Sequence, residues 1–143
     1  MSDIFKEAPG PSGTVAFFEE DQGDGFLAVY APADRKILEQ IKVYDRNSLL
    51  SVKPANVNVF WSTDQTKCGV VIDGRMIGII DIGQKRSIRA DLTPTGTSPI
   101  RDEAWLNGFD QYLDSEKFIA QRERYWRARA DAIKANVEEN YHE

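Results

Sequence analysis

The stretch Val57–Ile82, VNVFWSTDQTKCGVVIDGRMIGIIDI, decides the fold of this 143-residue chain. It holds the densest run of β-branched residues, and it contains two turn signals at strand-length spacing, Asp64-Gln65 and Asp73-Gly74. Asp-Gly between apolar runs is a strong hairpin cue, because both central residues of a type I′ turn need positive φ. The stretch therefore predicts three consecutive antiparallel strands.

Adjacent apolar residues in this stretch predict that both faces of the sheet are covered. Val70, Val71 and Ile72 follow one another, as do Ile79 and Ile80. A strand points its side chains alternately to two faces, so apolar neighbours need burial on both sides. Helices near the C-terminus are the expected cover for one face.

The segments around this stretch predict further strands. Residues 1–13 are rich in Pro and Gly and are expected to form a loop. Thr14–Glu19 and Gly25–Ala31 predict a hairpin around an acidic loop. Arg35–Asp45 fits both helical and strand periodicity, and its β-branched, aromatic ending favours a strand. Lys85–Leu92 predicts an edge strand whose cations hinder pairing with other chains.

The last third of the chain predicts helices. Residues 93–98 are expected to form a linker. Ser98 and Pro99 suit the N-cap and first position of a helix whose aromatic face would dock on the sheet. A second helix, which opens at Asp114 or Ser115, carries apolar residues every three to four positions. The carboxylates near its end stand at the negative end of the helix dipole, so its last turns are expected to fray or to depend on a contact.

We therefore expect one α+β domain over residues 1–143. An antiparallel, mostly meandering sheet of about six strands spans residues 14–92, and two C-terminal helices within residues 99–143 pack on it. The only cysteine, Cys68, lies in a predicted strand, where a buried structural thiol is expected.

Composition argues against several function classes. The net charge of −5 argues against non-specific nucleic-acid binding as the main role, since that binding needs many cations. The N-terminal region lacks the basic and apolar pattern of a signal peptide, and no segment approaches the ~20 apolar residues of a membrane span. A single cysteine allows no intramolecular disulfide. We expect a cytoplasmic protein without a membrane partner.

The chemistry-bearing residues predict no catalytic site and no cofactor. The only histidine, His142, is the penultimate residue, so Cys-His and Ser-His pairs and Cys/His zinc sites are not expected. Asp64 and Asp81, near strand ends, are the alternative for an enzyme or small-ligand site. Weak candidates for a metal are the hairpin carboxylates, although a solvated loop is the expectation and the calcium-hand pattern is missing. These carboxylates are Glu19, Glu20, Asp21 and Asp24.

The sharpest local feature is the run Arg122–Arg129, RERYWRAR. Its interpretations, in order, are a solvated charged face, a protein interface in which Arg, Trp and Tyr are anchors, and a polyanion site. Glu123 and Arg127 stand four residues apart, which allows an intrahelical ion pair. Tyr125 and Trp126 are expected to face the sheet. The candidate interface residues are Arg122, Arg124, Tyr125, Trp126, Arg127 and Arg129.

Several short motifs resemble a small bacterial family known only as a domain of unknown function. The motifs are Phe17-Phe18-Glu19-Glu20-Asp21 with Gly25-Phe26, the segment from Ile37-Leu38 to Val43-Tyr44-Asp45, and Trp61-Ser62-Thr63-Asp64 leading through Lys67-Cys68-Gly69 to Asp81. The resemblance covers about Thr14 to Ile82 and does not include the helices after Pro99. It implies a strand at Ile37–Tyr44 and a bacterial cytoplasmic setting, and it implies no activity.

The leading functional hypothesis is a non-enzymatic protein-binding module. It rests on the missing catalytic set, the acidic N-terminal hairpin and the Arg-Trp-Tyr helix, which could anchor a protein partner or a second copy of the chain. An inhibitor or immunity-type protein for a cationic bacterial partner is one such module. The alternatives are a small-ligand or metal-binding domain or enzyme that uses carboxylates, and polyanion or nucleic-acid binding through the Arg-rich helix.

Overall fold

The fold has three layers, which are an N-terminal sheet, a central sheet and a set of C-terminal helices. The computed structural model describes residues 3–47, 52–93 and 96–141, without the side chains of residues 92–93, 96–97 and 136–141. The expected α+β class with antiparallel sheets is confirmed. The expected single sheet of about six strands is wrong, because eight meandering strands divide into two sheets of four that bury a shared core.

The N-terminal sheet is an antiparallel meander in the order β1-β2-β3-β4. Its strands are β1 (Ile4–Pro9), β2 (Val15–Asp21), β3 (Asp24–Ala31) and β4 (Lys36–Tyr44). The predicted hairpin and the strand predicted over Arg35–Asp45 are confirmed. Gln22 and Gly23 join β2 to β3 at φ of 53° and 86°, a two-residue turn of the kind that suits the twist of a hairpin.

The expected loop over residues 1–13 is wrong for its first part, since Ile4–Pro9 forms β1 and pairs with β2. Only Ile4 of this edge strand is fully buried, so the sequence lacks the apolar run that marks an inner strand. Pro9 lacks an N–H, which is tolerated at an edge. Loop character remains in the single 3₁₀ turn Pro11–Gly13.

The central sheet repeats the meander in the order β5-β6-β7-β8. Its strands are β5 (Val57–Trp61), β6 (Lys67–Ile72), β7 (Arg75–Asp81) and β8 (Arg86–Arg89). The three strands predicted from Val57–Ile82 and the predicted edge strand are confirmed. Asp73 and Gly74 form the turn between β6 and β7 at φ of 53° and 73°.

Two hydrophobic clusters lie on opposite faces of the central sheet, and every residue of β6 and β7 is buried. The cluster between the sheets contains Phe18, Leu27, Val29 and Val43 from the N-terminal sheet with Val70, Ile72, Ile77 and Ile80 from the central sheet. The cluster under the helices contains Val71, Met76, Ile79, Ile100, Phe109 and Phe118. The expectation that both faces are covered is confirmed, and Cys68 is a buried free thiol.

The expected linker over residues 93–98 is wrong. Asp91–Thr93 (β9) and Gly96–Ser98 (β10) pair as a short antiparallel hairpin, and residues 94–95 between them lie outside the described part of the chain. Ser98 is therefore a strand residue rather than an N-cap.

The chain then stays extended before it becomes helical. The Ile100 N–H donates to the Met76 carbonyl at 3.0 Å, which ties this segment to β7. Asp102 is the actual N-cap, because its side chain accepts the Ala104 N–H at 2.9 Å. A carboxylate at this position satisfies a free backbone donor and complements the helix dipole.

The expected pair of C-terminal helices is wrong in number, since the described residues contain three. They are α1 (Glu103–Leu106), α2 (Asp110–Leu113) and α3 (Glu116–Tyr141). Gly108 separates the first two with φ of 92°, and its carbonyl accepts the Thr63 N–H at 3.1 Å. At Gly108 the backbone therefore forms a hydrogen bond with the turn that follows β5, and the helix does not continue through this residue.

The predicted aromatic face of the first helical region docks on the central sheet. The Phe60 ring on β5 lies 5.5 Å from the Phe109 ring, 4.7 Å from the Tyr112 ring and 6.1 Å from the Phe118 ring, measured between centroids. These offset and edge contacts are favourable arrangements for aromatic pairs. They fix α2 and the first turn of α3 against β5.

Helix α3 extends beyond this contact. Its 26 residues correspond to about 39 Å. Phe118 and Gln121 are buried, whereas all of residues 127–135 except Arg129 are exposed. None of the helices in the described part of the chain combines the length and apolar character that a membrane crossing requires.

Replacement of Gly74 by alanine is predicted to destabilise the fold much more than the same change at Gly13. Both glycines have positive φ, but a Cβ at Gly74 would overlap the Phe118 carbonyl oxygen, whereas a Cβ at Gly13 meets no atom within 4 Å. We expect Gly13→Ala to cost about 1 kcal/mol and Gly74→Ala about 3 kcal/mol. Urea denaturation measures both, and equal losses would contradict the docking of α3 on this turn.

Candidate protein interface on helix α3

The turn between β6 and β7 is the platform on which α3 docks. Phe118 passes so close to Gly74 that only a residue without a side chain fits there. Arg122 donates from Nη1 to the Gly74 carbonyl at 2.6 Å and from Nη2 to the Leu113 carbonyl at 2.7 Å. Charged donors satisfy carbonyls that α2 and the turn cannot pair internally. Arg122 thus holds three elements together within the chain.

A buried cation adds to this docking contact. Arg75, the first residue of β7, is 2% exposed, and its guanidinium carbon lies 3.6 Å from the centroid of the Tyr125 ring. Desolvation lowers the pKa of Arg75 below its ordinary value, and the electrostatic effect of Arg129 acts in the same direction, while Tyr125 and Asp73 oppose it. The aromatic face of Tyr125 stabilises the cation that burial disfavours.

The expected orientation is confirmed for Tyr125 and wrong for Trp126. Tyr125 covers Arg75 of the central sheet, whereas Trp126 is 46% exposed and touches Tyr125 edge-on at 5.1 Å. Consecutive helical residues are 100° apart, so when Tyr125 points to the sheet its neighbour points to the side.

The six candidate interface residues fall into two groups. Arg122, Tyr125 and Arg129 are at least partly buried, while Arg124, Trp126 and Arg127 are exposed. The structure does not bring all four arginines and both aromatic rings to one surface. A polyanion site on this helix would depend on the three exposed residues.

Three exposed apolar residues form a line along α3. Ile119, Trp126 and Ile133 are 40%, 46% and 56% exposed, and they are seven residues apart. Seven residues turn a helix through nearly two full turns, so successive members differ by only about 20° in direction. We call these three residues the apolar stripe of α3.

Sequence analysis missed Ile119 and Ile133 as surface residues. It grouped them with the apolar positions that recur every three to four residues and face the sheet. Their seven-residue spacing from Trp126 was the available signal, because a repeat of this period marks a helix that packs on another helix.

A second exposed apolar surface lies on the N-terminal sheet. The Phe5 and Phe17 rings stack at 5.8 Å, and Phe5 is 52% exposed. Ile37 and Leu38 on β4 are also exposed, because a register shift turns this part of the strand outward. Single exposed apolar residues are common, so this surface by itself indicates no partner.

At least two of the hairpin carboxylates, Glu20 and Asp24, form hydrogen bonds within the chain. The Tyr44 hydroxyl donates to Glu20 at 2.6 Å, and Asp24 accepts the Arg46 N–H at 3.0 Å. Burial, followed by this contact with Glu20, raises the pKa of Tyr44. Asp21 is exposed. Over residues 3–47, 52–93 and 96–141, no group of three or more His, Cys, Asp or Glu side chains is arranged to hold a metal ion.

Asp64 and Asp81 each organise a turn. Asp64 accepts hydrogen bonds from the Ser62 hydroxyl at 2.7 Å and from the Thr66 hydroxyl and N–H at 2.8 and 3.1 Å. These bonds lower the pKa of Asp64 to about 2. Asp81 accepts the Gln84 N–H at 3.0 Å and lies 4.0 Å from Arg86.

Two shallow depressions on the surface do not include these aspartates. One, of about 330 Å³, is lined by Ile41, Lys42, Ser87, Ile88 and Arg89. The other, of about 520 Å³, is lined by Glu103, Ala104, Leu106, Asn107 and Asp110. Neither depression brings Asp64 or Asp81 together with a second side chain that could act with it in catalysis or ligand binding.

Acid titration is predicted to detect the hydrogen bonds that Asp64 accepts in its turn, through a lowered pKa of this carboxyl group. The folded state holds the Asp64 pKa at about 2 against an ordinary value of 3.8. A lowered pKa favours the folded state above pH 3.8, and this contribution disappears as the pH falls towards 2. Carboxyl NMR titration should give a midpoint near pH 2 for Asp64, and Ser62→Ala should raise it. A midpoint near 3.8 in the wild type would contradict the observed turn.

Arg122 and Arg124 are predicted to differ sharply in their effect on stability. Arg122→Met removes two charged hydrogen bonds to backbone carbonyls and is expected to cost about 2–3 kcal/mol. Arg124→Met changes an exposed residue on the same helix and is expected to stay within about 0.5 kcal/mol. Chemical denaturation monitored by fluorescence measures both. Similar losses for the two variants would contradict the docking role of Arg122.

The comparison with known families extends the resemblance seen in the sequence. The family described as "Uncharacterized protein conserved in bacteria (DUF2251)" matches residues 3–116. The match is wider than the expected Thr14–Ile82, includes α1 and α2, and ends at the first residue of α3. No curated protein and no solved structure matches the chain significantly. Both sheets and the short helices thus lie inside the matched region, and the chain belongs to this uncharacterized bacterial family, DUF2251.

Proposed function

We propose that this chain is a non-enzymatic protein-binding module whose binding surface is the apolar stripe of α3. The observation that carries the proposal is the exposure of Ile119, Trp126 and Ile133 in one line on a helix that extends past its own docking contacts. Apolar anchors at helical spacing are how a helix binds a groove or another helix.

The surroundings of the stripe support a protein partner. Arg127 is exposed and lies about 100° from Trp126 around the helix, at the side of the stripe, whereas Arg124 lies on nearly the opposite side. Trp and Arg are among the residue types that dominate binding energy at protein interfaces. Ala130 is also exposed, between Trp126 and Ile133, and its small side chain permits a close approach of another backbone. The stripe therefore combines large anchors with room for a partner.

A bacterial cytoplasmic setting is part of the proposal. Cys68 is buried in β6, where burial raises the thiol pKa to about 12 and keeps the sulfur unreactive. A chain with one buried thiol forms no intramolecular disulfide, so its cysteine content does not call for an oxidising compartment. An inhibitor or immunity-type role towards a cationic protein would use the acidic N-terminal hairpin rather than the stripe, because residues 116–129 of α3 are themselves basic.

Affinity capture with matched variants tests the proposal. The wild-type chain, the stripe variant Trp126→Glu/Ile133→Glu and the control Ala128→Glu/Ala135→Glu serve as bait in a lysate of the native bacterium. Ala128 and Ala135 are exposed on the opposite side of α3, so the control adds the same charge to the same helix. We expect at least one protein to be retained by the wild type and the control, and about tenfold less by the stripe variant, which corresponds to about 1.4 kcal/mol.

Two outcomes would contradict the proposal. The first is retention of no protein above background by the wild type. The second is equal retention by the wild type and the stripe variant. Circular dichroism must show the same helical content for the three baits, and urea denaturation must show that each is folded under the capture conditions. The stripe variant is expected to lose some stability, because the Trp126 ring contacts Tyr125 at 5.1 Å and lies 5.9 Å from the Arg75 guanidinium carbon.

A further inference from the structure

The side of α3 that docks on the central sheet is mostly polar. Its buried or half-buried members at three- to four-residue spacing are Phe118, Gln121, Arg122, Tyr125 and Arg129. Among the described residues of α3, only Phe118 belongs to an apolar cluster. The N-terminal sheet, in contrast, covers the opposite face of the central sheet with side chains that are almost all apolar. Little of the free energy that holds α3 in place therefore comes from apolar burial.

Two polar atoms in the described part of the chain are buried without a hydrogen-bond partner where α3 meets β5. They are Asn58 Nδ2 on β5 and Gln121 Oε1 on α3, the latter on a side chain that is 5% exposed. Lys117, one turn before Gln121, donates to Asn58 Oδ1 at 3.1 Å, so both side chains belong to the same contact. A buried polar group without a partner costs free energy that exposure to water recovers. These two atoms therefore weaken the docking of α3.

A buried cation lies under the same helix. The Arg75 side chain is 2% exposed, and Tyr125 covers its guanidinium at 3.6 Å from the ring centroid. Arg129, also on α3, brings a second positive charge to this contact and lowers the pKa of Arg75. Departure of Tyr125 and Arg129 would return the guanidinium to water and separate the two charges.

The rest of the fold keeps most of its apolar cover without α3. The cluster under the helices also contains residues of α1, α2 and the segment between them, which are Trp105, Leu106, Phe109, Tyr112 and Leu113. The family match ends at Glu116, the first residue of α3, and includes every residue of the central sheet on which α3 docks. Both sheets with α1 and α2 thus form a unit to which α3 is added.

We propose that α3 is a releasable strap, which leaves the central sheet by rotation at Asp114-Ser115 while both sheets, α1 and α2 stay folded. Release uncovers β5 and the turn between β6 and β7, together with the polar docking side of α3. A partner that binds either uncovered surface shifts the chain towards the released state, so the strap switches between two binding states. The inference goes beyond the proposed function, because it concerns the docking side of α3 and holds whether or not the apolar stripe binds a protein.

Thiol labelling of the full chain with an aromatic disulfide reagent tests the release. Native Cys68 lies between the sheets, and Val71→Cys places a second thiol on the same strand at a fully buried position that faces the helices. A buried thiol reacts only when an opening of the fold exposes it, so its labelling rate measures how often that opening occurs. We expect the thiol at position 71 to react at least about tenfold faster than Cys68, and with a weaker dependence on urea because its opening exposes less surface.

Three substitutions in the Val71→Cys chain identify the contact that opens. Arg122→Met removes the bonds from α3 to the turn and to α2, and it should speed labelling at position 71 at least about tenfold. Arg124→Met, on the exposed side of the same helix, should change this rate by less than about twofold. Val29→Ala weakens the core between the sheets and leaves α3 unchanged, so it should speed the labelling of Cys68 and not that of position 71.

Three outcomes would overturn the inference. The first is equal labelling of the two thiols with the same dependence on urea, since α3 would then leave only when the whole chain unfolds. The second is that Val29→Ala speeds both thiols equally, and the third is that Arg124→Met acts as strongly as Arg122→Met. Gln121→Cys provides a buried reporter on α3 itself if Val71→Cys does not fold, and the same outcomes then decide.

Discussion

The burial of the central sheet on both faces is the constraint on which the rest of the structure depends. Every residue of β6 and β7 is buried, so neither face of these strands meets water. Desolvation of this much apolar surface is the main favourable contribution to folding, and it is obtained only when each face has its own cover. The N-terminal sheet supplies one cover and the helical layer supplies the other, which explains why both are needed around one short meander.

The sequence predicted this constraint but not how the chain meets it. Adjacent apolar residues such as Val70-Val71-Ile72 showed that two covers were needed, and Asp73-Gly74 placed the hairpin correctly. That the early strands form a separate sheet could not be read from their own alternation, since a strand has the same period in either sheet. β1 escaped prediction because an edge strand with one buried residue has almost no apolar signal.

The candidate interface on α3 stays a prediction, and the structure shows only which of its residues are exposed. Residues 122–129 do carry exposed Arg and Trp, but Arg122 and Tyr125 are used inside the molecule. Which side of a helix faces outward depends on its rotation about its own axis. Here that rotation is set by the close approach of Phe118 to Gly74 and by the Arg75 contact, which join residues far apart in sequence. Periodicity gives the spacing of a stripe and leaves its direction open.

The residues of α3 that dock on the central sheet lie in one part of the helix, and its exposed turns lie in another. The contacts between α3 and the central sheet lie between Lys117 and Trp126, and residues 127–135 are exposed except for Arg129, which is partly buried. Substitutions in the exposed turns leave the core untouched, so folding places little selective pressure on them. Members of the family can therefore diverge in recognition along this segment while they keep the same scaffold, and the family match indeed ends at Glu116, before the exposed turns.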